Sequence, residues 1–166
     1  MIEDWGSVEF VRIGIAEGAV VRAPVRLKTT GLGSCVGVVV YDGAAGLLGM
    51  AHIMLPTAPA RGEHSHTKYA NLAVPWLIRR LLAEGGQKAR FRAKIAGGAQ
   101  MFASSGGSEV LRVGPRNVEA VREALMAASV PLVAQDVGGN VGRTIEFDLL
   151  AETLWIRTAH KGVYQI

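Results

Sequence analysis

Apolar runs of six to nine residues, separated by glycine-rich breaks, set the pattern of this chain. Residues 8–15 and 20–27 alternate loosely, are rich in β-branched side chains and flank Ala16-Glu17-Gly18, so both read as strands. Residues 36–41 form a nearly continuous apolar run, the pattern of a strand buried on both faces. Asp42-Gly43-Ala44-Ala45-Gly46 carries turn chemistry and residues 47–55 resume a strand, which predicts a hairpin. Residues 57–67, just after Pro56 and with Pro59 and two histidines, read as an exposed loop. Tyr69, Leu72, Ala73, Trp76, Leu77 and Leu81 then recur at helical spacing, with Gly85-Gly86 as the stop. Pro75 requires this helix to start late, near Asn71, or to kink.

Residues 92–96 read as a short strand, and Gly106-Gly107 as a turn. Gly114-Pro115-Arg116-Asn117 opens a second helix with an apolar stripe of Val118, Val121, Leu125 and Met126. Residues 131–137 form a strand, Gly138-Gly139-Asn140 a turn, and residues 144–150 and 153–158 a final hairpin. Strands outnumber helices, and two amphipathic helices must cover the sheet, so the fold class is a layered α/β sandwich.

Composition narrows this picture. At 166 residues, the chain is sized for one well-buried domain spanning 1–166. Hydrophobic residues at 49% and charged residues at 19% exclude a disordered chain. The 21 glycines fall in pairs and short motifs, as turns and close backbone approaches do. Net charge is +4, but the basic residues are dispersed and aromatics are only 6%, which argues against nucleic-acid binding. No apolar run approaches the roughly 18 residues of a spanning helix, so no membrane insertion is expected. No N-terminal segment reads as a signal peptide. One cysteine cannot close an intrachain disulfide, and a free thiol points to the cytoplasm.

That cysteine, Cys35, follows Gly31-Leu32-Gly33-Ser34 at the entry of the first hairpin arm. The second arm carries His52. With the turn centred near residue 44, position 35 pairs with a position near 53, one residue from His52, across strands about 4.8 Å apart. A thiol needs a base to become a nucleophile at neutral pH, and histidine suits that task. The glycines would let backbone N–H groups, at Gly33 and Ser34, approach a substrate oxyanion. The alternative is a small inert core cysteine beside a satisfied core histidine. His64 and His66, with or without His52, make a weak metal pattern because no acidic or cysteine ligand lies nearby, and a solvated loop is the better reading. No dinucleotide or phosphate-binding glycine motif is complete, and no cofactor is expected.

Several blocks then resemble one family in order along nearly the whole chain. They are Thr29-Thr30-Gly31-Leu32-Gly33-Ser34-Cys35, Gly49-Met50-Ala51-His52-Ile53-Met54-Leu55-Pro56, Lys68-Tyr69-Ala70 and Lys94-Ile95-Ala96-Gly97-Gly98-Ala99 with Met101-Phe102. Gly114-Pro115-Arg116-Asn117-Val118 and Asp136 to Asn140 with Arg143 complete the set. Together they resemble CheD, the chemoreceptor glutamine deamidase of bacterial chemotaxis. The resemblance implies a three-layer α/β sandwich of mixed β-sheets, with two main amphipathic helices. It implies a hydrolase that converts receptor glutamines to glutamates through a thioester, with some methylesterase activity. Cys35 takes the place of the nucleophile, His52 of the base and Thr29 of the third residue. Thr30 stands where the family often has a larger apolar residue, which leaves open which hydroxyl orients His52. The implied partners are the cytoplasmic domains of methyl-accepting chemoreceptors and a CheC-type phosphatase. A non-enzymatic module that binds receptors or CheC is the alternative.

Overall fold

A computed structural model describes residues 8–101 and 112–166. Phe102 and the Gly106-Gly107 turn lie outside these residues. Among the described residues, ten strands form two mixed five-stranded sheets. The first sheet runs β1 (Phe10–Ile13), β3 (Arg26–Leu32), β8 (Arg143–Asp148), β9 (Thr153–Thr158), β10 (Gly162–Gln165). The second runs β2 (Gly18–Arg22), β5 (Leu47–Ile53), β4 (Val36–Asp42), β6 (Arg92–Gly97), β7 (Leu132–Val137). Helices α1 (Ala70–Ala83) and α2 (Val113–Ala127) cover the second sheet, giving three layers in the order helices, sheet, sheet. The expected fold class is the one observed.

The central pair β4–β5 explains its own composition. Every residue of both strands is buried. Val36, Val38, Val40, Leu47, Ala51 and Ile53 face the helices, with Leu77, Leu81, Val121 and Leu125 among their neighbours. The alternate set, Val39, Tyr41, Leu48 and Met50, faces the first sheet and meets Leu27, Ile145, Phe147 and Ile156. A strand between two layers has no polar face to offer, so the run is apolar throughout.

Four expectations shift. The strand expected over 20–27 is two strands, because Pro24 sits in a turn where the chain leaves β2 for β3 in the other sheet. The loosely alternating run over 8–15 supplies only four strand residues, paired parallel to β3. Met126 is 79% exposed: the buried stripe of α2 runs through Gly114, Asn117, Val118, Val121 and Leu125. The last hairpin gains a third strand, β10, whose half-buried Val163 and Tyr164 form too short an apolar signal. Helix α1 begins at Ala70 and carries Pro75 in its second turn, where the missing N–H leaves the Asn71 carbonyl without its helical donor.

Candidate active site

Cys35 immediately precedes β4, and His52 is the penultimate residue of β5. The observed register pairs Gly37 with His52 and Val36 with Ile53. Continued by one rung, it sets Cys35 opposite Met54, one residue beyond the position reached by counting from the turn. The difference decides which way the side chains point. Pairing at 53 would turn Cys35 and His52 to opposite faces of the sheet. The observed register turns both toward the first sheet, as diagonal neighbours whose backbones stand about 7–8 Å apart, within reach of long side chains. Gly37, opposite His52 and two residues from Cys35 on the same face, presents only hydrogen. A Cβ there would stand 2.5 Å from Ile145 Cδ1, so this glycine lets the first sheet close over the pair.

That sheet brings Thr29, fully buried on β3 and facing inward as Leu27 does. Thr29 Oγ1 lies 2.7 Å from His52 Nδ1 and 2.9 Å from the Ile13 carbonyl oxygen. A carbonyl can only accept, so the one hydroxyl proton goes to Ile13. Thr29 Oγ1 therefore accepts from His52, which places the imidazole proton on Nδ1 and the lone pair on Nε2. His52 Nε2 is buried and has no hydrogen-bond partner among the described residues. Thr30 is exposed, and the hydroxyl that touches His52 is that of Thr29.

Burial sets the charge state. It pushes the half-buried Cys35 thiol above its ordinary value, opposed by the residue's own backbone N–H. Burial also lowers His52 to about 4. The two residues thus rest as a neutral thiol and a neutral imidazole, and any attack by this thiol would have to pass on its proton as the bond forms.

The glycine loop is partly spent on itself. Gly31 has a φ of 74°, and the Gly33 N–H donates to the Gly31 carbonyl at 3.0 Å. The Gly33 carbonyl accepts from Ala99 N–H, and the Cys35 carbonyl from Gly98 N–H, each at 2.8 Å. The Ser34 and Cys35 amides have no backbone acceptor among the described residues. Gly97, at φ 115°, supports the loop from below: a Cβ there would sit 2.3 Å from the Cys35 carbonyl oxygen. Gly97→Ala is expected to cost about 2–4 kcal/mol in urea unfolding and to slow alkylation of Cys35 by iodoacetamide, through combined clash and strain. An unchanged midpoint and rate would show that the loop tolerates the added carbon.

The other histidines stand apart from this pair. His64 contacts the Pro59 carbonyl oxygen at 2.9 Å and the Tyr69 ring edge-on, while His66 is exposed near Arg79. No group of three potential metal ligands occurs among the described residues. Asn117 is a polar residue at the site that sequence reasoning noted only as part of a block. It is fully buried, and its Nδ2 donates to the carbonyls of Ser34 and Met54.

Comparison with known proteins places these residues in context. The family model described as CheD chemotactic sensory transduction matches residues 54–158, a segment that begins just after His52. A relative from Geobacillus kaustophilus is 49% identical over 163 residues, covering 96% of this chain and 99% of its own. Relatives from Halalkalibacterium halodurans and Bacillus licheniformis are both named chemoreceptor glutamine deamidase CheD. The first is 46% identical, covering 95% of this chain and 99% of its own. The second is 44% identical, covering 96% of each. A solved Neisseria meningitidis protein of the DUF152 family shares the fold, with a TM-score of 0.51 at 11% identity over 83% of this chain and 67% of that one. No helix of the described residues is long and apolar enough to cross a membrane.

Proposed function

The chain belongs to the CheD family, and from that premise we propose that it is a chemoreceptor glutamine deamidase, a hydrolase that cuts the side-chain amide C–N bond of receptor glutamines in the cytoplasm. One observation carries the residue assignment. Thr29 holds the His52 proton on Nδ1, and the free Nε2 shares a sheet face with the Cys35 thiol.

The reaction divides between these groups. Cys35 Sγ attacks the glutamine carbonyl carbon as His52 Nε2 takes the thiol proton. The amides of Ser34 and Cys35 stabilise the oxyanion, since the Gly33 N–H is already bonded to Gly31. Protonated His52 gives its proton to the departing nitrogen, the C–N bond breaks, and ammonia leaves a thioester on Cys35. Water then attacks the thioester with Nε2 as base. The C–S bond breaks, glutamate is released, and the proton returns to sulfur. A glutamyl methyl ester would follow the same route, with methanol as the leaving group.

The test is incubation with purified cytoplasmic fragments of the organism's own chemoreceptors, read by peptide mass spectrometry and ammonia release. Conversion of particular glutamines is expected. Folded protein that converts none in any receptor fragment would overturn the reading. The Thr29 assignment has its own test. Thr29→Val keeps the side-chain shape but strips the His52 N–H of its acceptor, so kcat is expected to fall about 100-fold. Thr30→Val, at an exposed position, should leave kcat unchanged. The reverse ranking would assign the orienting role to Thr30.

A further inference from the structure

The β4–β5 ladder stops at Val36 and Ile53, yet the geometry of Cys35 and His52 depends on the chain just beyond that rung. On one side, the next free carbonyl belongs to Ser34, the residue before the thiol. On the other, it belongs to Met54, two residues after His52. Both accept from Asn117 Nδ2, each at 2.9 Å. Asn117 is fully buried near the start of α2. That end of the helix is seated on the same region: a Cβ at Gly114 would lie 2.3 Å from the Ala99 carbonyl oxygen, and the Ala99 amide holds the Gly33 carbonyl.

We propose that Asn117 is a positioning residue for the reacting pair, its single amide nitrogen standing in for the next rung of the ladder and fixing Cys35 Sγ against His52 Nε2. Two carbonyls converging on one point are both met by one atom that carries two N–H donors. The primary amide of asparagine supplies that, whereas serine offers one donor, aspartate two acceptors and leucine none. The arrangement leaves Asn117 Oδ1 buried without a partner among the described residues. An apolar residue would pack there without that cost, so the two donors are what the position uses. Both tethered carbonyls lie on backbone outside the ladder, where no other described hydrogen bond links the Ser34 side to the Met54 side.

The proposal rests on the reading of Cys35 and His52 as a reacting pair, not on the receptor as substrate. Its test is a double-mutant cycle on Cys35 alkylation by iodoacetamide at neutral pH, using the full chain, Asn117→Ala, His52→Gln and the double variant. Asn117→Ala is expected to slow alkylation about tenfold where His52 is present and less than twofold where it is glutamine. Equal slowing in both backgrounds would reduce Asn117 to a general structural tie and overturn the proposal. Where the alanine variant does not fold, Asn117→Ser, which keeps one donor, carries the same comparison. In deamidation, kcat is expected to fall about 30-fold with KM within about threefold of the parent. A fall confined to KM would overturn the proposal as well. Alkylation that ignores His52→Gln would remove the pair on which the inference stands. A His52-dependent thiol that converts no receptor glutamine would instead remove the substrate reading, and the alkylation cycle would still decide the role of Asn117.

Discussion

Cys35→Ala is expected to abolish conversion of receptor glutamine, lowering kcat by at least about 10⁴-fold, because the proposed route passes through a thioester on this sulfur. Cys35 is the only cysteine in the chain, so no second thiol can substitute. The fold should be nearly indifferent. Cys35 stands outside the ladder at a half-buried position and only partly packs against the inter-sheet core, so removing its sulfur should cost about 1 kcal/mol or less. Loss of activity with a retained melting temperature therefore separates chemistry from folding. Undiminished glutamine conversion by the alanine variant would sink the assignment of Cys35. Restored chemotaxis in a deletion strain carrying the variant, without conversion, would favour a binding module over an enzyme.

The hairpin that carries Cys35 and His52 is legible in the sequence because both arms are apolar without interruption and the break between them is rich in turn residues. Its register is less legible. The turn places Ala45 N–H on Asp42 Oδ1 and Gly46 N–H on the Gly43 carbonyl, with Gly46 at a φ of 67°. These local bonds centre the hairpin half a residue later than the composition suggests. That moves the partner of Cys35 by one position, enough to exchange the faces of the sheet. Sequence patterning predicts that two strands pair, but the conformation of a few turn residues decides which side chains meet.

Thr29 and Asn117 are hidden for different reasons. Thr29 sits on a strand of the other sheet, and its contact with His52 exists only because the two sheets stack face to face. Periodicity within one strand carries no information about that stacking, so only family resemblance points to the residue. Asn117 lies one position before Val118 in the apolar stripe of α2, where an asparagine in the opening turns of a helix reads as ordinary polar surface. Its burial follows from the close seating of Gly114 on Ala99, a tertiary contact. Similarly, the break at Pro24 could mark an edge, a bulge or a change of sheet, and only the assembled sandwich makes it the last of these.

His52→Gln is expected to have opposite effects on rate and on acid stability. Glutamine can still donate to Thr29, but it offers no lone pair of imidazole basicity, so kcat should fall about 10³-fold. The stability effect follows from the lowered His52 pKa. In the unfolded chain the imidazole takes up a proton as the pH falls through about 6.5, while in the folded protein it does so only near 4. Between those values the unfolded state binds more protons, so the parent loses stability as the pH drops through that window and gains nothing further above it. Glutamine does not titrate, and the variant should lack this part of the acid slope. Asp42, whose carboxyl Arg90 and the Gln87 and Ala45 amides hold below its ordinary value, contributes acid lability to both proteins alike. The informative quantity is therefore the difference between parent and variant in urea unfolding at pH 4.5 and pH 7, chosen to bracket most of the window. The same neutral imidazole puts the acid limb of kcat/KM for the parent near 4 rather than near 6.5. An acid limb near 6.5, with parallel stability curves for parent and variant, would mean that water reaches His52 in the resting protein and that the thiol faces a charged imidazolium instead of the neutral base described here.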